Sequence, residues 1–559
     1  MECNSKNSVS SEKTFLTFVD GFYLNSKVNI LLILFVIILT YGIKFTYISY
    51  NNDQCYSIFS NLSGAIMQGR WISILPCRLW LTDRHIVIWS DTIGAVLLVL
   101  AATLYTYFWW IESNYNLSNI SIISFILFFI VFPLNLEILV YPCNMIYMGL
   151  FHILIACSLL LIQRMMSKGF SYSNFLLCCI CASCAISGYE CFSLVFLVSI
   201  LLVFFYDLLK EKQVSYLSLV KKIKIPVLCF ICSHLIYVIV TILVLWMCSG
   251  FTGINYQNTG ADRRILWFSE EVKNISLFSQ LFSFICNFSY KYIYSSLFSF
   301  GLFVFWLTVL VAIFIVFQHS TINRYKSLIV LFFSIIAIFA LSLLLGKPQY
   351  YRTCQAMPVF VGSIWLIYLE KIIKFRRIII CIVALLILFQ TKECSLYFAY
   401  DKKIAHLDEM RYYSIGNDIK SQSFYNGQKV IFTGELGNSW DPRYTMARPF
   451  FLNLPRNNSQ IYTQAGLSHL DSRCEQFTIL MNYLNKIILE TLDNSQYDYW
   501  KSVVIENNQP AWPKDGYIKQ YGEQIVVNLG FPPEPLDGKE QFINGWKKIF
   551  SGNRSKNSF

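Results

Sequence analysis

Long apolar runs broken by short polar segments cover the chain from about residue 28 to residue 392. Runs of this kind read as membrane spans, and each must be helical because backbone groups in lipid need partners within their own segment. The pattern predicts eleven spans, near 28–48, 86–110, 119–134, 145–162, 172–187, 188–206, 226–248, 297–317, 327–345, 356–370 and 378–392. The break between the fifth and sixth is a tight turn at Ser187-Gly188. Residues 1–27 form a polar head with an interfacial helix expected over Phe15 to Leu24. The first apolar run is too long for a signal-peptide core, so it is expected to stay as the first span.

The pattern changes at residues 393–559, where turn residues and charges rise. KVIFTG at 429–434, SVVIEN at 502–507 and QIVVNLG at 524–530 read as short strands. Glu475 to Leu489 reads as an amphipathic helix, with Phe477, Leu480, Met481, Leu484 and Ile488 on one side. A small α/β-like soluble domain is expected here. Trp440, Tyr497, Tyr499 and Trp500 suit either sugar stacking or ordinary packing.

Composition agrees with the pattern. Hydrophobic residues make up 55% of the 559 and charged ones 14%, and the mean hydropathy is +0.49, so the chain cannot cover itself with a soluble surface. The net charge of +12 is not a nucleic-acid signal. The last 165 residues hold 18 basic and 17 acidic groups, so the excess lies in the membrane part, where positive loops set topology. Arg164 and Lys168, then Lys210, Lys212, Lys221, Lys222 and Lys224, then Arg324 and Lys326, then Lys371, Lys374, Arg376 and Arg377 fall in alternate loops. This places the N-terminus in the cytoplasm and residues 393–559 in the periplasm. One presumed cytoplasmic turn, 111–118, breaks the rule: it has Glu112 and no basic residue. Seventeen of the 18 cysteines precede residue 400. Cys178, Cys179, Cys181 and Cys184 imitate a metal cluster but sit in a span, where Cys serves as a small apolar filler. Cys474 stands alone in the last domain, so no disulfide framework holds it.

The opposite side receives four larger pieces: 49–85, 135–144, 249–296 and the segment after about 393. An amphipathic helix around 264–285 is expected to lie flat at the interface. The candidate chemistry gathers on this side, around the stretch Asn51 to Trp71, NNDQCYSIFSNLSGAIMQGRW. Asp53, Arg70, Glu137, Glu190, Asp262, Arg263, Arg264, Lys347 and Arg352 all sit at span ends. Each alone is an interfacial charge. Together they are what an enzyme with a lipid-phosphate substrate needs: arginine holds phosphate with two parallel hydrogen bonds, and a carboxylate takes the proton of an attacking hydroxyl. Asp53 is the expected base, with Glu137 and Glu190 next in line. There is no phosphate-binding glycine loop and no Rossmann pattern, which disfavours a nucleotide-sugar donor.

Four pieces carry a family resemblance: NNDQ with GRW downstream, FPLNLEILVYPCNM, SGYECFSLV and YYRTCQAMPVF. The chain resembles the GtrII-like O-antigen glucosyltransferases over roughly residues 30–390. The match falls on Asp53, Gly69-Arg70, Glu137, Tyr189-Glu190 and Arg352; with the span-end charges, the expected substrate-binding set is Arg70, Trp71, Tyr189, Arg263, Arg264, Lys347, Tyr351 and Arg352. Two departures stand out. Glu190 replaces the usual Gln, and Asn52 stands where a second acid is common, so no metal ligand and no cofactor is assigned. The resemblance implies a polytopic fold similar to the GT-C glycosyltransferases in the bacterial inner membrane. It implies transfer of glucose from undecaprenyl-phosphate glucose to lipopolysaccharide O-antigen on the periplasmic side, beside a donor flippase and a donor synthase. Rival readings are an O-antigen polymerase or other polyprenyl-phosphate sugar transferase, and a flippase or transporter of lipid-linked sugar. A transporter would show internal repeats, and none is evident.

Overall fold

The computed structural model describes residues 14–24, 26–47, 70–73, 87–139, 144–210, 216–252, 277–293, 300–319, 323–349, 351–371, 375–436, 465–466, 481–482, 485–490, 492 and 494–530. Two compact units form, Met1–Lys403 with Pro449–Ile461, and Ile404–Arg448 with Tyr462–Phe559.

In the first unit a helix occupies each of the apolar stretches. α1 (Phe15–Val19), capped by the Thr14 side chain, continues as a π turn over Asp20–Leu24. Its Phe18 packs on the rings of Tyr107 and Trp110, which anchors the expected interfacial helix. The helices that follow are α2 (Lys27–Tyr41), α3 (Val87–Glu112), α4 (Asn119–Ile130), the short α5 (Leu136–Leu139) and α6 (Asn144–Lys168). Then come α7 (Tyr172–Gly188), α8 (Phe192–Lys210), α9 (Tyr216–Thr252), α10 (Leu277–Phe288) and α11 (Phe300–His319). The series ends with α12 (Arg324–Ile338), α13 (Ala340–Leu344), α14 (Ala356–Lys371) and α15 (Arg376–Ser421). Among the described residues, six helices are individually long and apolar enough to cross a membrane, and seven if the bent pair Phe15–Leu24 and Lys27–Tyr41 counts as one. α4 and α7 are apolar but shorter. The unit is a multi-pass membrane bundle.

α14 is the hub. Every residue from Ala356 to Ile367 is buried, against α4, α8 and α11. Lipid tails are as apolar as leucine, so close packing and buried hydrogen bonds hold such helices together. Trp109 Nε1 donates to Ser363 Oγ at 3.0 Å, and Trp365 Nε1 to Thr308 Oγ1 at 2.9 Å. α3 and α6 approach through two glycines. A Cβ on Gly94 would lie 2.6 Å from Met145 Cβ, and one on Gly149 would lie 2.5 Å from Leu97 Cβ. The outer helices expose apolar side chains, among them Phe35, Leu235, Ile242 and Leu388, as a lipid-facing surface requires.

The ends of α3, α8 and α14 meet the starts of α4 and α15, which marks one polar end of the bundle. At this end the basic residues of the topology argument come together. Lys222 pairs with Asp207 at 3.3 Å, and Lys210 donates to the Glu112 carbonyl. Lys371 donates to the Leu209 carbonyl at 3.3 Å. Glu370 accepts from Ser118 N at 2.8 Å and Ser118 Oγ at 2.7 Å, and Arg376 reaches the same hydroxyl at 3.0 Å. The turn that lacks a basic residue of its own therefore borrows two, Lys210 and Arg376, from later helices.

The second unit contains a three-stranded sheet in the order β1 (Val430–Thr433), β5 (Gln524–Asn528), β4 (Ile518–Tyr521). β1 is parallel to β5, with Ile431 opposite Val526, and β4–β5 is an antiparallel hairpin closed by Gly522 at φ +62°. A two-residue pair, β2 (Glu435–Leu436) and β3 (Ala465–Gly466), is separate. The strands expected at KVIFTG and QIVVNLG are present. The one expected at SVVIEN is not: those residues lie in α16 (Asn494–Glu506) and the turn after it. The reason is packing. Trp500 and Val504, four apart on one helical face, close against Ile431 and Val526. The helix expected over Glu475 to Leu489 also stops earlier. Lys486 has φ +56°, and Leu489 is extended beside Val430. Most of that stretch, and Trp440, lie outside the described residues. Tyr497 is buried and its hydroxyl accepts from Gly434 N, so it belongs to the packing, whereas Tyr499 is exposed.

Candidate active site

The other polar end of the bundle is built differently. α7 ends at Gly188, which packs so closely on Phe151 that a Cβ would sit 1.9 Å from its ring, and Tyr189 is already extended. The chain turns through Tyr189, Glu190 and Cys191 and re-enters as α8. That turn sets Tyr189 and Glu190 side by side, Tyr189 buried and Glu190 half-open. A 3₁₀ turn, Trp71–Ser73, packs on α7 and brings Arg70 to both. Arg70 Nη2 lies 3.3 Å from Glu190 Oε2, and its Cζ stands 4.8 Å from the centre of the Tyr189 ring. Trp71 Nε1 donates to Thr241 Oγ1 of α9 at 3.3 Å, which fixes the direction from which Arg70 enters.

Arg352 approaches from a third segment. It lies in the 3₁₀ turn Tyr351–Thr353 just before α14, packed against α5. Gln355 Nε2 donates to its carbonyl at 3.0 Å. Arg352 is close enough to Arg70 and Tyr189 to act on both electrostatically. Burial pulls the Arg70 guanidinium down, but Glu190 and Tyr189 outweigh burial and Arg352 together and hold it above its ordinary value. Burial pushes the Tyr189 hydroxyl well above the usual tyrosine range, against the two arginines. Tyr189 is therefore neutral and serves as a flat, polar-tipped support for a guanidinium.

Magnitudes say what this grouping is for. Side chains of Arg70 and Glu190 are 29% and 38% exposed, and such pairs contribute about 0–1 kcal/mol. Two arginines beside each other repel, so the group adds little to stability. The described part of the group is two guanidiniums and one carboxylate, and guanidiniums meet an anionic group with parallel hydrogen bonds.

The structure thus brings together Arg70, Trp71, Tyr189, Glu190, Tyr351 and Arg352 from the expected set. Lys347 is exposed in the turn after α13, and its carbonyl accepts from Gln349. The backbone of Glu137 lies in α5, against the Arg352 turn; its side chain is outside the described residues. Asp53, Asp262, Arg263 and Arg264 also lie outside them. Among the described residues no three His, Cys, Asp or Glu side chains come together to hold a metal ion.

Sequence reasoning missed a second polar group at this end. Lys44 Nζ lies 3.9 Å from Asp91 Oδ2, with both side chains fully buried. Lys44 also stands 5.1 Å from the Tyr47 ring centre, and the Tyr47 hydroxyl donates to Asp401 Oδ2 at 2.6 Å. Lys402 donates to Thr46 Oγ1 at 3.0 Å. The signal was present: an ionisable residue inside an apolar run calls for a partner. These contacts grip residues 44–47, six residues before Asp53.

The described residues form a bundle of membrane helices with Arg70, Glu190 and Arg352 grouped toward one end. Residues 42–369, more than half of the chain, match the family model described as Glucosyl transferase GtrII. The chain belongs to that family and is, in general class, a membrane glycosyltransferase. All the described residues of the cluster fall inside the matched range. No curated protein matches the chain.

Proposed function

We propose that the protein moves glucose from undecaprenyl-phosphate glucose to lipopolysaccharide O-antigen, at the periplasmic face of the bacterial inner membrane. One observation carries this reading: Arg70, Tyr189, Glu190 and Arg352 converge from three separate segments in a chain of the GtrII family. In this reading the bundle is GT-C-like with eleven spans, and the second unit is periplasmic. The two arginines hold the donor phosphate, and Glu190 positions Arg70. Asp53 is the base.

The reaction is a direct displacement. The acceptor hydroxyl oxygen attacks the anomeric carbon, the bond from that carbon to the phosphate oxygen breaks, and the hydroxyl proton passes to Asp53. Polyprenyl phosphate leaves as an anion. It needs cationic stabilisation more than it needs an acid, and the arginines supply it. Displacement in one step inverts the anomeric centre. Glu190 is committed to Arg70, which favours Asp53 over it as the proton acceptor.

The test is transfer by purified protein. With undecaprenyl-phosphate glucose and O-antigen acceptor, glucose should appear on the acceptor. With UDP-glucose alone nothing should transfer. Efficient use of UDP-glucose would overturn the lipid-linked donor. Altered chain length without added side-branch glucose would point to a polymerase.

A further inference from the structure

We propose that α10 and Lys291 form the entry side of the site, where the lipid-linked donor is received from the membrane. This rests on the proposed reading of the donor and extends it to residues that the reading does not use.

α10 has 12 residues, about 18 Å of helix, too short for a hydrocarbon core of about 30 Å. It has three faces. Ser279, Ser283 and Asn287 recur at intervals of four along one side, and Asn287 Nδ2 bonds Ser283 Oγ. Phe284 and Phe288 form an inward face. Leu281, Phe282 and Ile285 stay 45%, 61% and 50% exposed on the remaining side. A short helix with polar and open apolar faces lies in the plane of the interface, with the open apolar side chains among acyl chains. Of the stretch 264–285 expected to hold an amphipathic helix, the described part is helical from Leu277, and the helix runs on to Phe288.

The inward face leads to the cationic cluster. The rings of Phe284 and Phe288 meet at 5.7 Å, Phe288 and Tyr292 at 4.9 Å, and Tyr292 and Tyr351 at 5.8 Å. Phe339, between α12 and α13, closes the group 4.8 Å from Tyr292. Tyr292 is fully buried and pinned: its hydroxyl donates to the Gln349 carbonyl at 2.6 Å, and its carbonyl accepts from Trp306 Nε1 at 2.8 Å. Tyr351 O–H donates to the Lys291 carbonyl at 3.0 Å. The Lys291 ammonium stands 5.2 Å from the Tyr351 ring centre and 5.9 Å from that of Tyr292. Arg352 is the next residue after Tyr351.

One rigid aromatic stack therefore joins an open apolar helix face, a half-exposed ammonium and the Arg352 turn. The ligand that fits this order is an amphiphile with a long apolar chain and a phosphate head. Its chain lies along Leu281, Phe282 and Ile285. Its phosphate meets Lys291 first and is passed to Arg352 and Arg70.

The experiment uses the full chain in lipid nanodiscs. A photoactivatable undecaprenyl phosphate is crosslinked and the adduct mapped, with and without excess inorganic phosphate. Crosslinking should fall on the 277–293 segment, and inorganic phosphate should not displace it. In transfer assays Lys291→Gln should raise the donor KM about tenfold with kcat little changed, the size expected for one charge-assisted contact to phosphate. Lys291→Arg should restore it. Phe282→Gln should raise KM for the long-chain donor and not for a short-chain prenyl analogue. Lys168→Gln, at the opposite end of the bundle, is the charge control. A normal KM in Lys291→Gln and Phe282→Gln, or crosslinks confined to other segments, would overturn the entry side while leaving the proposed reaction standing. If wild-type protein transfers nothing from the lipid donor, the reaction fails, and the crosslink map decides the entry side alone.

Discussion

The two ends of the membrane bundle carry similar residue types and use them in opposite ways. At the basic-rich end each named charge is spent on the protein. Lys222 meets Asp207, Lys371 and Lys210 meet carbonyls that end helices, and Glu370 caps α4 through Ser118. Cations near the last carbonyls of a helix and an acceptor at the first amides are what helix ends require. At the Arg70 end, Arg70 pairs with the half-exposed Glu190, and Arg352 lies within electrostatic range of Arg70 and Tyr189. That arrangement is poor for stability and good for an anion. The lesson is that arginines converging from separate segments mark the working end better than the number of charges does.

The comparison can be broken at several strengths. The largest effect belongs to Asp53. Asp53→Asn keeps size and removes the base, so turnover should fall by about 100- to 10,000-fold while donor binding changes little. Near-normal turnover in folded protein would move the role to Glu137 or Glu190. Next comes Asp91→Asn, which removes the carboxylate beside a fully buried Lys44. Breaking a buried pair on one side costs about 3–5 kcal/mol, so the melting temperature should drop sharply. An unchanged melting curve would show that Lys44 is not held as a charged partner. Glu190→Gln should be intermediate. Losing a half-exposed pair costs at most about 1 kcal/mol of stability, yet a misplaced Arg70 should raise the donor KM. Loss of stability with a normal KM would make Glu190 purely structural. The smallest effect is expected from Lys222→Gln at the opposite end, about 0.5–1 kcal/mol of stability with wild-type donor KM and turnover. A raised KM there would erase the difference between the ends.

Much of this was legible in residue order, for physical reasons. Apolar runs must be helices in lipid, so their positions could be read directly, and Arg70, Glu190 and Arg352 stood out as charges at run ends. What stayed hidden depended on partners far along the chain. Lys44 looks like an ordinary end-of-span lysine until Asp91, 47 positions later, is packed against it. Lys291 had no local motif; its meaning comes from Tyr351. Ser502 to Asn507 looked like a strand because the window was short. Extended back to Asn494, the same region shows Tyr497, Trp500 and Val504 at helical spacing.

The central claim is that Arg70 and Arg352 together hold the donor phosphate. The most direct test is the undecaprenyl-phosphate glucose KM of the Arg70→Lys, Arg352→Lys double variant, measured with its melting temperature. Lysine keeps the charge and loses the planar two-pronged contact. The prediction is a KM raised by at least about tenfold, the loss of one or more charge-assisted hydrogen bonds, with the melting temperature unchanged. A wild-type KM in the folded double variant would contradict it.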